Sequence, residues 1–332
     1  MTTQPIASTA STISVALCTY NGAVYLPEQL ASIAAQSRLP DELIICDDAS
    51  TDATPHIARG FAARAAFPVR LLVNSKRLGP TRNFEQAVIS CSGDTVVFCD
   101  QDDVWLNRKL QVIEETFAHA PGTGAVFSDA ALVDEKLLPL GRTLWESAGF
   151  GARAQSRFEQ GGQVQMLMKC TPALGLTLAF RAAFKSAILP FHANHGHDLW
   201  TVLIISALAD VSLAKQPLVQ YRQHSGQLVG IVGMPNLRHR VTATGRVTGE
   251  AHLKTATLYR DVIQRLEQLG AENGRADKMA LLREKAAHLQ ARGLLVQSRW
   301  RRLPTVLREL GMLHYHHYSN GLLSAVKDLF LP

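Results

Sequence analysis

The chain has 332 residues, 47% of them apolar and 19% charged, a balance that can bury a sizeable core and excludes disordered, collagenous and disulfide-scaffold classes. Length alone allows two ordinary domains or one large domain with an extension. The net charge of +6 is unevenly placed, because residues 1–235 carry 18 Lys and Arg against 20 Asp and Glu while residues 236–332 carry 16 against 8. The basicity therefore belongs to the last third and points toward an anionic surface, membrane or nucleic acid. The longest apolar stretch, Leu199 to Ala214, is broken by Asp210 and falls short of the roughly 18 to 20 residues a membrane span needs. Residues 1–12 have no basic residue and no apolar h-region, so they read as a flexible tail rather than a secretory signal. Five cysteines, odd in number, without CxxC spacing and mostly at the ends of apolar runs, read as free thiols in a reducing cytoplasm.

From Ile13 the chain alternates strand and helix signals. Ile13 to Leu17 is a β-branched apolar run ending in Thr19-Tyr20-Asn21-Gly22, after which Leu30, Ile33 and Ala34 recur at helical spacing. Glu42 to Cys46 is a second run, closed by Asp47-Asp48-Ala49-Ser50, where an Asp or Ser is placed to cap a helix starting near Thr51. Val69 to Val73 is a third, and Asp94 to Cys99 a fourth, which ends in Asp100-Gln101-Asp102-Asp103. Strands separated by helices of about a dozen residues predict βαβ units and a parallel sheet covered on both faces. Ligands of such sheets bind beyond the carboxyl ends of the strands, where Thr19 to Asn21, Asp47, Asp48 and Asp100 to Asp103 all fall. Further on the pattern predicts strands at Ala125–Phe127, Leu174–Phe180 and Pro217–Arg222, a loop over 141–162, and a buried helix over Leu199–Leu208. From Gly245 the chain reads helical, with Leu258, Val262, Leu266 and Leu269 on one stripe and Leu281, Leu282 and Leu289 on another.

Three carboxylates within four residues repel one another unless a cation joins them. A hard divalent ion such as Mg²⁺ or Mn²⁺, shared with substrate phosphates, relieves that repulsion. The competing reading is a solvated loop whose aspartates cap a helix starting near Trp105, and sharing an edge with Asp47 and Asp48 favours the metal and nucleotide site. Asp198, just before an apolar helix, is either a plain N-cap or a general base. His224, after the last strand, is either a surface histidine or a metal or phosphate ligand. No GxGxxG follows the first strand, and GxxxxGK[ST] and GxSxG do not occur, which removes dinucleotide oxidoreductases, P-loop NTPases and elbow hydrolases.

Taken in order, the segments 16–22 (ALCTYNG), 44–52 (IICDDASTD), 77–84 (RLGPTRNF), 98–105 (FCDQDDVW) and His197-Asp198 resemble glycosyltransferase family 2, an inverting family of GT-A fold, and most resemble its rhamnosyltransferase-like branch. The resemblance spans about residues 13 to 235. It implies an α/β GT-A fold, a mostly parallel sheet with helices on both faces, plus a helical C-terminal extension. The segments are then a tail (1–12), a nucleotide-sugar-binding half (13–115), an acceptor-binding half carrying the base (116–235) and a basic helical extension (236–332). By position it implies that Thr19, Tyr20 and Asn21 with Asp47 or Asp48 hold the base and ribose, and that Arg82 adds a contact at the base or phosphate. Asp100, Gln101, Asp103 and Arg222 belong to the same donor site. Asp102 is the implied metal ligand of the DxD with His224 beside it, Mg²⁺ or Mn²⁺ the implied ion, and Asp198 the implied catalytic base. Two positions depart from the branch, Leu199 where a second aromatic is usual and Gln227 where Asn is usual.

The implied reaction moves a sugar such as rhamnose from a dTDP- or UDP-linked donor to a hydroxyl of a bacterial surface glycan, an acceptor expected to be lipid-linked. Two other classes compete: a phosphatase of the haloacid dehalogenase type using Asp100 and Asp102, and a non-catalytic sugar-nucleotide-binding module. One aromatic, Trp300, among Arg299, Arg301 and Arg302 is too little for a nucleic-acid partner. Residues 285–308 carry no carboxylate, which expects either a peripheral contact with anionic lipid at the inner face of the cytoplasmic membrane or packing on the catalytic domain with solvated arginines. Pro304 is expected to divide this stretch into two short helices.

Overall fold

The computed structural model describes residues 11–170, 172–192, 195–227, 249–270, 275–295 and 298–330. Its first third is the predicted βα repeat: β1 (Ile13–Thr19), α1 (Leu26–Ala34), β2 (Glu42–Asp47), α2 (Thr54–Ala62), β3 (Val69–Val73), α3 (Pro80–Ser90) and β4 (Thr95–Cys99). The order β3-β2-β1-β4 is parallel throughout, and every residue of β1 and β4 is buried because helices cover both faces. Register pairs Thr19 with Asp47 and Leu17 with Cys99, so the residues that follow all three central strands emerge at one edge. Residues 1–10 lie outside the described residues, but Thr12, assigned to the tail, is held by Asp94, whose carboxylate accepts its N–H at 3.0 Å and its hydroxyl at 2.8 Å.

Beyond β4 the sheet becomes mixed. The elements are β5 (Val104–Trp105), α4 (Lys109–His119), β6 (Thr123–Val133), β7 (Pro139–Thr143), α5 (Leu144–Ala148), α6 (Ala152–Arg157), α7 (Gln163–Cys170), β8 (Leu178–Arg181), α8 (Lys185–Ile188), α9 (His197–Leu208) and β9 (Asp210–Arg222). β8 lies antiparallel between β4 and β6, β9 runs parallel to β6, and β5 pairs antiparallel with β9 at the far edge, while β7 pairs with β6.

Four local expectations are corrected. The helix expected near Thr51 starts at Thr54, because the Ser50 hydroxyl is drawn to Asp47 and it is Asp52 that accepts the Thr54 N–H at 2.9 Å. Trp105 begins no helix. It pairs with Val219 in the sheet, and α4 starts at Lys109. The stretch 141–162 is not a loop, since Leu144, Trp145, Phe150 and Phe158 are buried and gather around Phe127, and Thr143 with Glu146 forms a capping box. Gly and Ser flanking these large side chains hid their apolar content, and Gly149, at φ 72°, supplies the left-handed stop of α5.

The extension comprises α10 (Gly249–Gln268), α11 (Ala276–Gly293), α12 (Arg299–Gly311), α13 (His314–Tyr318) and α14 (Leu322–Phe330). Pro304 lies inside an unbroken α12, the fourth correction. It forfeits one N–H near the start of the helix, and Arg302, Val306 and Glu309, all buried, anchor the inward face on either side of it. Leu258, Val262 and Leu266 of α10 and Leu282 and Leu289 of α11 share one core with the sheet, whereas Leu269 is exposed. Arg265 fastens α10 further by donating to the carbonyls of Ser186, Ala187 and Leu189 at 2.7 to 2.8 Å. The boundary expected at 235/236 lies outside the described residues. The last helices have a small core of their own, Val306, Tyr315 and Ala325, supported by polar ties: Glu309 accepts from His288 at 2.8 Å and His314 at 2.9 Å, and Arg292 pairs with Asp328 at 2.6 Å. Among the described residues no helix is long and apolar enough to cross a membrane.

Because α10 belongs to the same core as the sheet, Leu266→Ala is expected to lower stability by about 2–5 kcal/mol. In urea denaturation the circular-dichroism and tryptophan signals should still move together, whereas two separated transitions would make the extension an independent unit.

Candidate active site

The first wall of the site is the turn after β1, which is tied to both neighbouring strand ends. The Thr19 hydroxyl donates to Asp47 at 2.9 Å, and Asp47 also accepts from the Ser50 N–H at 2.9 Å and hydroxyl at 2.6 Å. Asn21 takes a left-handed conformation at φ 46° and its side-chain oxygen accepts the Thr51 N–H at 2.9 Å. The Gln101 side chain bonds the N–H and carbonyl of Tyr20 at 2.8 and 3.0 Å, locking β1 to the DQDD turn. A Cβ at Gly22 would stand 2.1 Å from the Gln101 oxygen, so any larger residue there would push the Gln101 side chain off its bonds to Tyr20. Asp48 faces the other way and accepts the N–H groups of Leu78 and Gly79 at 2.7 and 2.8 Å, which shapes the loop before α3. Both carboxylates of the Asp47-Asp48 pair are thus buried builders of loops, and the Tyr20 ring carries the Arg77 guanidinium 4.0 Å from its centroid.

The second wall is the DQDD turn itself. Asp102 meets His224 at 2.9 Å between Oδ2 and Nε2, and the imidazole is packed against Tyr25 with only a tenth of its side chain exposed. The Gly226 N–H donates to the other ring nitrogen at 3.2 Å, which fixes the orientation of the ring. With Nδ1 accepting, Nε2 carries the ring proton and donates it to Asp102, so the two side chains are joined by a hydrogen bond whose proton a divalent ion would have to replace to be held by both. Asp103 is buried; one oxygen accepts the Arg222 N–H at 3.1 Å and the other has no partner. Burial pushes its carboxyl well up, with Asp102 and Asp100 adding to the effect. Asp100 is pushed up to about 7, first by burial and then by Asp102 and Asp198. Asp102, beside Asp100 and Asp198, supplies the kind of oxygen donor a hard divalent cation takes.

The third wall comes from α9. His197 opens the helix, stacked on Phe84 at 3.8 Å, and Asp198 lies in the first turn, where the helix dipole favours negative charge. Asp198 is no N-cap: Gly196 holds that position, and the carboxylate accepts from the Leu199 N–H at 2.8 Å and the Gly175 N–H at 3.2 Å. Gly175 is where the strand side and the α9 side come closest, because a Cβ there would lie 2.9 Å from His197 Nε2 and 3.8 Å from Asp100 Oδ2.

Two of the expected donor contacts are engaged elsewhere. Arg222 is buried and donates to the carbonyls of Asp102 and Glu135 at 2.8 and 2.6 Å and to the Glu28 carboxylate. It braces the DQDD turn from behind. Arg82 grips both oxygens of Glu85 at 2.7 and 2.8 Å and lines a cleft with His192, Trp200 and Asp261. Gln227 donates to the Arg222 carbonyl, so this departure from the branch supports the His224 loop, and Leu199 is half-buried beside Asp198. The structure adds Lys109, which no pattern singled out. It is fully buried, donates to the Leu176 carbonyl at 2.6 Å and lies 3.9 Å from the Trp105 ring; burial lowers it to about 7. A lysine among charged neighbours at a helix start carries no signal of burial, and Gly175 carried none of its close approach to His197.

The sequence profile of glycosyl transferase family 2 matches residues 14–158. The chain is 31% identical over 228 residues to the dTDP-rhamnosyl transferase RfbG of Shigella flexneri, covering 64% of this chain and 73% of that one. The fold resembles the crystal structure of S. aureus TarS 1–349 in complex with UDP, with a TM-score of 0.58 and 16% identity over 96% of this chain and 89% of that one. It also resembles the mannosyltransferase PcManGT from Pyrobaculum calidifontis in complex with GDP-Man and Mn²⁺, with a TM-score of 0.51 and 16% identity over 97% and 88%. The phosphatase reading does not survive these findings, nor the three βα units that precede Asp100.

His197 yields a pH prediction. Burial lowers it to about 4, so the folded protein keeps the ring neutral while the unfolded chain protonates it near 6.5. The unfolded state therefore binds more protons between those values, and its share of stability is present above 6.5 and lost as pH falls toward 4. His197→Phe, which keeps the stacking on Phe84, should flatten the fall of the melting temperature across that window; an unchanged slope would assign it to other groups. With the motifs in order on a GT-A scaffold and a relative of this similarity covered over nearly three quarters of its length, the chain belongs to glycosyltransferase family 2.

Proposed function

We propose that the protein is a metal-dependent, inverting glycosyltransferase that moves a sugar, rhamnose being the first candidate, from a dTDP- or UDP-linked donor to a hydroxyl of a lipid-linked bacterial surface glycan. The observation that carries this reading is the convergence of Asp198 and Asp100 at Gly175, with Asp102, the partner of His224, near enough to act on Asp100 as Asp198 does. The name of the Shigella relative supports a dTDP donor, and the UDP complex of TarS supports a nucleoside diphosphate as the kind of ligand this fold takes.

In the proposed reaction the acceptor O–H gives its proton to Asp198 as its oxygen bonds to the anomeric carbon. The bond from that carbon to the diphosphate oxygen breaks with its electron pair, on the opposite face, so one displacement inverts the configuration. A divalent ion held by Asp102 and His224 would supply charge neutralisation at the diphosphate. This chain's own part is positional: Gly175 N–H and the first turn of α9 aim Asp198, Arg222 braces the backbone of Asp102, and the Gln101 clamp holds Tyr20 and Asn21 at the base and ribose.

Asp102→Ala should abolish metal-dependent donor binding, because one remaining side-chain ligand cannot hold Mg²⁺ against its reluctance to lose water. Thermal stabilisation by dTDP- and UDP-sugars, with and without chelator, reads this directly; equal stabilisation in both conditions removes the metal assignment. Asp198→Asn keeps the shape but cannot take a proton, so donor binding should survive while turnover falls by roughly 10² to 10⁴. Near-native turnover in that variant would exclude Asp198 as the base.

A further inference from the structure

The structure relocates the contact expected of the basic tail. Arg292 is committed to Asp328, Arg302 is buried and donates to the Asp328 carbonyl at 3.0 Å, and Lys285 donates to the Tyr318 carbonyl at 2.6 Å. These cations tie helices together. What remains outward is a pair of packed helices with apolar stripes on their outer sides. On α12 Trp300 and Leu307, seven residues apart, are 73% and 56% exposed, and the buried Arg302, Val306 and Glu309 occupy the opposite side. On α14 Leu322, Val326 and Phe330 follow one another every fourth residue at 62%, 51% and 61% exposure, opposite the buried Ser324 and Ala325.

The charges around these stripes have one sign. Between residues 298 and 330 the carboxylates are Glu309 and Asp328, and their side chains are only 4% and 11% exposed, Asp328 paired with Arg292 and Glu309 with one nitrogen of Arg308 at 3.2 Å. Arg301 and Arg308, also seven residues apart, run along the edge of the α12 stripe and are exposed. We infer that the outer face of α12 and α14 docks on an anionic lipid bilayer, with Trp300, Leu307, Leu322, Val326 and Phe330 entering the headgroup boundary and Arg301 and Arg308 meeting lipid phosphates. A second copy of the chain fits this face poorly, because a symmetric contact would bring arginines toward arginines. The inference stands apart from the transfer reaction, since neither donor nor acceptor is needed to observe it.

Co-sedimentation of the full chain with vesicles tests it. Binding is expected to vesicles of phosphatidylcholine with 30% phosphatidylglycerol and not to phosphatidylcholine alone. Arg301→Gln and Arg308→Gln should each lower partitioning roughly fivefold, with high salt mimicking the loss. Leu307→Gln with Phe330→Gln should lower it at least roughly tenfold even in low salt. Both changes are at exposed positions, and an unchanged melting temperature certifies that the variants fold. Equal recovery in the supernatant with both lipids overturns the inference, as does binding indifferent to the two apolar changes. So does a concentration-dependent dimer that those changes dissolve, which would make the face a contact between copies. Donor stabilisation, measured on the same samples, reports the reaction site separately.

Discussion

The burial of Asp100 and Asp103 beside Asp102, with Asp198 next to Asp100, is the constraint around which this half of the chain is arranged. These carboxylates approach one another where strands and helix deliver them, and partial burial removes the water that would screen them. The fold offsets this in pieces. Arg222 gives its backbone N–H to Asp103 and its side chain to the Asp102 carbonyl, Lys109 contributes positive charge from behind, and α9 points its N-terminus at Asp198. A hydrogen bond to a charged group contributes about 1.5–3 kcal/mol, while an abandoned buried polar atom costs about 1–3 kcal/mol, so these partners decide whether the pocket can exist. Asp103 Oδ2 is left without one. That missing partner and the burial around it favour the protonated, neutral form of Asp103.

The extension has a different economy. Its first two helices bury leucines in the sheet's core, and its last three rely on a few large side chains, on hydrogen bonds from His288 and His314 to Glu309, and on the Arg292–Asp328 ion pair. Two histidines share Glu309, which is held at about 2 despite the opposing effect of burial. Directed bonds of this kind specify how α11, α13 and α14 meet where apolar area is too small to do so.

Much of the first hundred residues was legible because the strands there are short apolar runs and Leu30, Ile33 and Ala34 mark the first helix, so the edge bearing Asp47 and Asp100 followed from the alternation. Periodicity does not describe how side chains turn. Arg82 and Arg222 were expected at the donor, and the structure engages them with Glu85 and with the back of the DQDD turn. The stretch 141–162 was obscured because Gly and Ser between Trp145, Phe150 and Phe158 look like a loop until Phe127, distant in sequence, supplies the partner ring. Arginines in the extension look alike in a sequence. Burial alone separates Arg302, which holds a carbonyl, from Arg301, which is exposed.

α9 and β9 form one uninterrupted stretch, with Asp198 at its beginning and His224 just past its end. The helix is buried on nearly every side, and the strand pairs with β6 from Asp210 to Arg222 across register shifts around Ser128 to Ala131. Ala214 and Pro217 face the adjacent Ser128 and Asp129, so Lys215 and Gln216 form a bulge in the strand. Each end is held by its own neighbours, and a change in the length of this connection would be taken up at that bulge rather than by turning Asp198 against His224.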